Sequence, residues 1–138
     1  MTREIVPIQI DFTGRFELYL SENFDEFLSE LGISYFVRVV ATRASSEYQI
    51  TKENGTYSLR TVSTFGESLI TFKSGVSFKE NRLDGNVVDT VIDIVGNKWI
   101  QKQAGEKEVT IVREFSAEGI VVTSFVNNVT CVRKYRRL

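Results

Sequence analysis

From about Ser46 to the C-terminus, hydrophobic and polar residues alternate in short runs, and each run ends at a turn signal. β-branched and aromatic residues dominate these runs, and residues two apart share one face of a strand. The turn signals are Asn54-Gly55, Gly66, Ser74-Gly75, Asp84-Gly85, Gly96-Asn97, Ala104-Gly105, Glu118-Gly119 and Asn127-Asn128. They delimit nine strands. Gly14 to Leu20 alternate weakly and supply one strand ahead of them. Between these regions the period changes. Phe24, Phe27, Leu28 and Leu31 fall at i, i+3, i+4 and i+7, one face of a helix. Asn23 is placed to cap that helix, Glu26 to complete a capping box, and Gly32 to stop it. Ser34 can cap a second short helix running to about Ala41.

The pattern predicts an all-β fold: a ten-stranded antiparallel up-and-down β-barrel with a two-helix lid between the first and second strands. A sheet of ten strands curls, and closing it removes its exposed edges. The one proline, Pro7, precedes every strand, as continuous ladders require. Residues 1–11 read as an N-terminal extension and 12–138 as a single domain, without repeat or linker.

Composition narrows the function classes. A net charge of −1 gives no bulk basic surface for nucleic acid. The lone cysteine, Cys131, cannot form an internal disulfide, and residues 1–20 hold no apolar run of signal-peptide length. Both features predict an intracellular, cytoplasmic protein. There is no histidine, which removes the commonest general base, the commonest metal ligand and any thiolate–imidazole pair. No glycine-rich phosphate loop, metal cluster or nucleophile–base pair is present. The expectation is a non-enzymatic protein that needs no cofactor.

Two strands place charge on apolar faces. Between Glu108 and Phe115, Arg113 alternates in phase with Val109, Ile111 and Phe115. In the last strand, Arg133 and Tyr135 share a face with Val129 and Cys131. A guanidinium keeps its proton, so an inward arginine demands a partner, and a ligand carboxylate can supply one through paired hydrogen bonds. Alternation alone leaves the alternatives open: inward toward such a ligand, outward to solvent, or paired with an internal aspartate or glutamate.

Taken in order, several motifs resemble the intracellular lipid-binding proteins, the family of fatty-acid-binding and cellular retinoid-binding proteins. They are Phe12-Thr13-Gly14-Arg15-Phe16, Ser21-Glu22-Asn23-Phe24-Asp25-Glu26-Phe27-Leu28, Glu30-Leu31-Gly32, Thr61-Val62-Ser63-Thr64-Phe65, Ile70-Thr71-Phe72-Lys73 and Asp84-Gly85. The last two are Glu108-Val109-Thr110-Ile111-Val112-Arg113-Glu114 and Thr130-Cys131-Val132-Arg133-Lys134-Tyr135. The resemblance is to the heart and adipocyte types and covers about Phe12 to the end. It implies a clam-like barrel binding a long-chain fatty acid or similar acidic lipid. Arg113, Arg133 and Tyr135 would hold the carboxylate. Phe24, Leu28, Tyr35, Phe65 and Asp84 would contact the tail or form the portal, although Phe24 and Leu28 also suit plain lid-to-barrel packing. It further implies a monomer, transient membrane contact through the lid, and two alternatives: a retinoid carrier, or a shuttle delivering lipid to a nuclear receptor through a basic lid patch including Arg38 and Arg43. Asn86 stands where several relatives carry an arginine, which predicts an Asp84 left unpaired or turned outward. The connection at Ala44-Ser45-Ser46 lacks the family's usual proline.

Overall fold

A computed structural model describes residues 10–138, so the expected extension over residues 1–11 lies almost wholly outside the described part. Ten strands and two helices follow in the order β1 (Gly14–Glu22), α1 (Phe24–Glu30), α2 (Tyr35–Arg43), β2 (Ser46–Glu53), β3 (Thr56–Ser63), β4 (Gly66–Phe72), β5 (Phe78–Asn81), β6 (Val87–Val95), β7 (Lys98–Gln103), β8 (Val109–Phe115), β9 (Gly119–Val126) and β10 (Val129–Arg137). Each strand pairs antiparallel with its sequence neighbour, and β1 pairs with β10, so the sheet order runs β4-β3-β2-β1-β10-β9-β8-β7-β6-β5. This is the expected meander with its lid between β1 and β2.

Closure is incomplete. The two ends of the order, β4 and β5, are not hydrogen-bonded to each other. A gap of about 460 Å³ separates them, lined by Leu69, Ile70, Phe78 and Glu80 among others. The expectation that closure removes every edge therefore needs correcting. Two edges remain, and they are blunted by the four-residue length of β5 and by exposed charges such as Glu67 and Lys79.

Local chemistry explains the other departures. Alternation in β1 is weak because its register with β10 shifts between Leu18 and Leu20, leaving Tyr19 as the extra residue of a bulge. The bulge also turns Ser21 to face Arg133. Asn23 does not cap α1 with its side chain. It sits in the left-handed region at φ 61, and its Nδ2 donates instead to the Thr130 carbonyl, so no capping box forms. Ser34 precedes α2 in extended geometry, also without a side-chain cap, and α2 runs on to Arg43. Gly32 does stop α1. At φ 87 it lets Gly32 N–H reach Ser29 O and Ile33 N–H reach Leu28 O, the paired bonds of a Schellman end.

The apolar interior splits in two. Phe16, Tyr57, Phe72, Trp99 and Phe115 belong to a floor cluster that also takes in Phe12, whose ring lies 4.8 Å from that of Phe115. Phe27, Leu28, Leu31 and Ile33 bind the lid to Val109, Val126 and Cys131. Ile111 packs against both clusters.

Candidate functional site

The register brings the two expected arginines into one row. Arg113 of β8 and Arg133 of β10 both pair with Val122 of β9, one on either side. Neighbouring strands lie about 4.8 Å apart, so the two backbones are roughly 10 Å apart with both side chains on the inner face. Ser21 of β1 extends the row beyond Arg133.

Arg113 is 5% exposed. Its Nη1 donates to Gln101 Oε1 at 2.6 Å, its guanidinium carbon stands 5.5 Å from the Tyr48 ring centre, and its Nε has no partner. Arg133 is half-buried. Its guanidinium lies 3.8 Å over the Phe24 ring, and Nη1 donates to Ser21 Oγ at 3.2 Å. Neither arginine forms an ion pair with a described residue. A buried donor left unpaired costs about 1–3 kcal/mol, and an uncompensated buried charge costs more. The two cations are therefore held by neutral groups and ring faces, all weaker partners than a carboxylate.

Tyr135 completes the group. Its hydroxyl lies 2.9 Å from Ser46 Oγ, and its ring stacks on Tyr48 with centres 4.3 Å apart. Burial pushes the hydroxyl above the usual phenol range and the adjacent Tyr48 adds to this, while Arg133 and Ser46 pull the other way. It remains a proton donor across the physiological range. A Cβ at Gly119 would run into the Tyr135 backbone carbonyl, so glycine is required where β9 starts beside this residue.

Two adjoining pockets share part of their lining, and the first reaches Arg133. A mouth of about 370 Å³ is lined by Phe24, Phe65, Leu83 and Arg133, with Ala41 and Ala44 from the end of α2. A pocket of about 440 Å³ beneath the lid shares Phe24, Ser68 and Leu83 with it and adds Leu28, Glu80 and Ile111. Arg113 and Tyr135 lie toward the floor. Phe24, Phe65 and Arg133 thus meet at the mouth, and Leu28 both lines the inner pocket and packs the lid.

Two expected residues stand apart. Tyr35 is 65% exposed on α2 and contacts Phe36 and Arg38, not this group, because its position at the start of α2 faces away from the barrel. Asp84 is neither unpaired nor turned outward. The β5–β6 turn folds Arg82 back onto it at 2.7 Å, with both side chains nearly buried, at 5% and 6% exposure. Burial pushes the Asp84 carboxyl up, but hydrogen bonds from Arg82 and Asn86 outweigh this and hold it below the usual range. Arg82, two residues upstream, supplies the cation that attention to position 86 overlooked. Its Nη1 also ties the turn to the Lys107 carbonyl.

Arg38 is likewise committed within the lid, to Asp25 and the Ile33 carbonyl. Cys131 is buried beneath the lid, and burial pushes its thiol up to about 11, which leaves it an inert packing residue. Sequence reasoning missed Ser21, Ser46, Tyr48, Glu80 and Gln101. Alternation marks Tyr48 and Gln101 as inward, yet only cross-strand register brings them to the arginines.

Comparison with known proteins agrees with this architecture. A fatty acid-binding protein of Tyrophagus putrescentiae is 45% identical over 129 residues, covering 93% of this chain and 98% of its own. The crystal structure of the fatty acid-binding protein in brain tissue of Drosophila melanogaster is 44% identical with a TM-score of 0.89, covering 91% of this chain and 99% of that one. The Schistosoma mansoni fatty acid binding protein in complex with arachidonic acid is 32% identical with a TM-score of 0.88, covering 92% and 96%. Residues 13–137 match a family of carriers rather than enzymes, and the chain belongs to the lipocalin / cytosolic fatty-acid binding protein family.

Proposed function

We propose that this protein binds and carries long-chain fatty acids, with the carboxylate held by Arg113, Arg133 and Tyr135 and the chain running beneath the lid. The observation that carries the reading is Arg113: a buried guanidinium with one neutral partner, an unpaired Nε and no counter-ion among the described residues. A ligand carboxylate would supply acceptors for Arg113 and Tyr135 and draw Arg133 off the Phe24 ring. Burying the chain contributes roughly 0.8 kcal/mol per CH₂. Each charge-assisted hydrogen bond contributes about 1.5–3 kcal/mol. The tail thus dominates affinity and the head group selects acids.

Displacement of a fluorescent fatty acid tests the reading. Arg133→Ala is expected to weaken fatty acids by about tenfold or more while leaving their methyl esters nearly unaffected. Equal losses for acid and ester would reject the carboxylate role.

Entry is read at the mouth, where Phe65 of the β3–β4 turn is exposed between the end of α2 and Leu83. Phe36, 82% exposed, and Val40 one turn on give α2 an apolar outer face suited to transient contact with a lipid surface. In stopped-flow uptake, Phe65→Ala should change entry and exit rates together with little change in affinity. Phe36→Ser should slow uptake from phospholipid vesicles but not from water. Traces unchanged in both variants would remove the portal from this end of the barrel.

A further inference from the structure

Glu80 lies on the edge strand β5, opposite Val88 of β6. Its Oε1 accepts three hydrogen bonds at 2.9 Å, from Thr90 Oγ1, Gln101 Nε2 and Gln103 Nε2. Its Oε2 accepts none among the described residues. Nor is Oε2 walled in, for the buried side-chain atoms left unpaired there are Trp99 Nε1 and Arg113 Nε. Three donors saturate one oxygen and orient the carboxylate, leaving the other free. Glu80 stands between the β4–β5 gap and the pocket beneath the lid, whose apolar wall is Phe24, Leu28, Val109 and Ile111.

Register sets its height in the cavity. The inward pairs Trp99–Arg113, Gln101–Ile111 and Gln103–Val109 climb from floor to lid, each step two residues or about 6.8 Å along the strand. Glu80 is bonded to both Gln101 and Gln103, and Gln101 also reaches Arg113, so Glu80 stands between one and two such steps above Arg113. A chain whose carboxylate rests at Arg113 and Arg133 passes it partway along its length. An ionised carboxylate can only accept hydrogen bonds. A plain hydrocarbon chain offers Oε2 nothing and displaces any water it held, at a desolvation cost. A hydroxyl on the chain satisfies it, whereas a ketone oxygen at the same carbon is repelled.

Resting on the fatty-acid reading, we infer that Glu80 forms a second ligand subsite, selecting acidic lipids that carry a hydroxyl partway along the chain. Affinities of stearate and of hydroxy- and oxo-stearates, substituted at successive mid-chain carbons, would be measured by displacement of a fluorescent fatty acid. At the best-placed carbon the hydroxy acid should bind about tenfold tighter than the oxo acid. Glu80→Gln retains an oxygen for the three internal donors and presents an amide N–H to the chain. It should bring that ratio close to one, mainly by tightening the oxo acid. A hydroxy-to-oxo ratio near one at every carbon in the unaltered protein would overturn the subsite, and so would the same ratio in both proteins. Stearate itself still displacing the probe would show that the fatty-acid reading survives such a result. Failure of stearate to do so would remove both.

Discussion

Trp99→Ala should lower folding stability by about 3–5 kcal/mol, the range for removing a large aromatic side chain from a closed core. Trp99 is fully buried at the barrel floor. Its ring centre lies 4.9–5.5 Å from those of Phe72, Phe115, Tyr57 and Phe12, contributed by β4, β8, β3 and the segment preceding β1. No single neighbour can move into the space, because each is held by its own strand or by the others. For a chain of this length the loss corresponds to roughly 10–15 °C in melting temperature. Circular dichroism is the appropriate probe, since the substitution removes the one tryptophan. Trp99→Phe keeps a ring and deletes the buried Nε1–H that has no partner, so it should cost far less. Similar losses for both variants would show that the N–H is satisfied after all and that ring packing is not the dominant contribution.

Arg113→Met should act with opposite signs on binding and on folding. Affinity for a long-chain fatty acid should fall by about 10- to 100-fold, through loss of a charge-assisted contact to the carboxylate. The empty protein should become more stable by on the order of 1 kcal/mol or more, because a desolvated cation gives way to an apolar side chain of similar reach. The unpaired Nε is removed and Gln101 Oε1 loses its donor, and these two effects roughly offset. Urea melts of the lipid-free protein and displacement titrations check the two signs. Unchanged affinity would take Arg113 out of the site. Lower stability would mean that the Gln101–Glu80 chain already balances its charge. The expected opposition is the usual cost of a binding site, in which groups poised for a ligand are poorly satisfied without it.

The site was legible in the sequence to unequal degrees. Arg113, Arg133 and Tyr135 stood out as polar residues in phase with apolar ones, but alternation is blind to which face is the inside. Resemblance to a family supplied that direction as an expectation, and the sheet register now places all three on one inner surface. Asp84 misled because its partner, Arg82, is brought to it by a turn whose path local sequence does not state. Tyr35 stands apart from the group because one position on a helix separates the barrel face from solvent. Asn23 has the right chemistry for a helix cap, yet the sharp passage from β1 into α1 draws it into the left-handed region and its amide to Thr130.

By itself, the sequence determined the strand count, the turn positions and the lid. These depend on periods of two and 3.6 and on turn chemistry, which act over a few residues. The tertiary structure alone decided which polar groups meet. It left β4 and β5 without a ladder between them, joined Ser46, Tyr48 and Tyr135, and tied Glu80 through Gln101 to Arg113. Those pairings follow from ladder register and barrel curvature, which sum over the whole sheet and have no local signature. The Arg113 row that began as charge on an apolar face is a consequence of both: alternation turned the side chains to one side, and Val122 between them set their spacing.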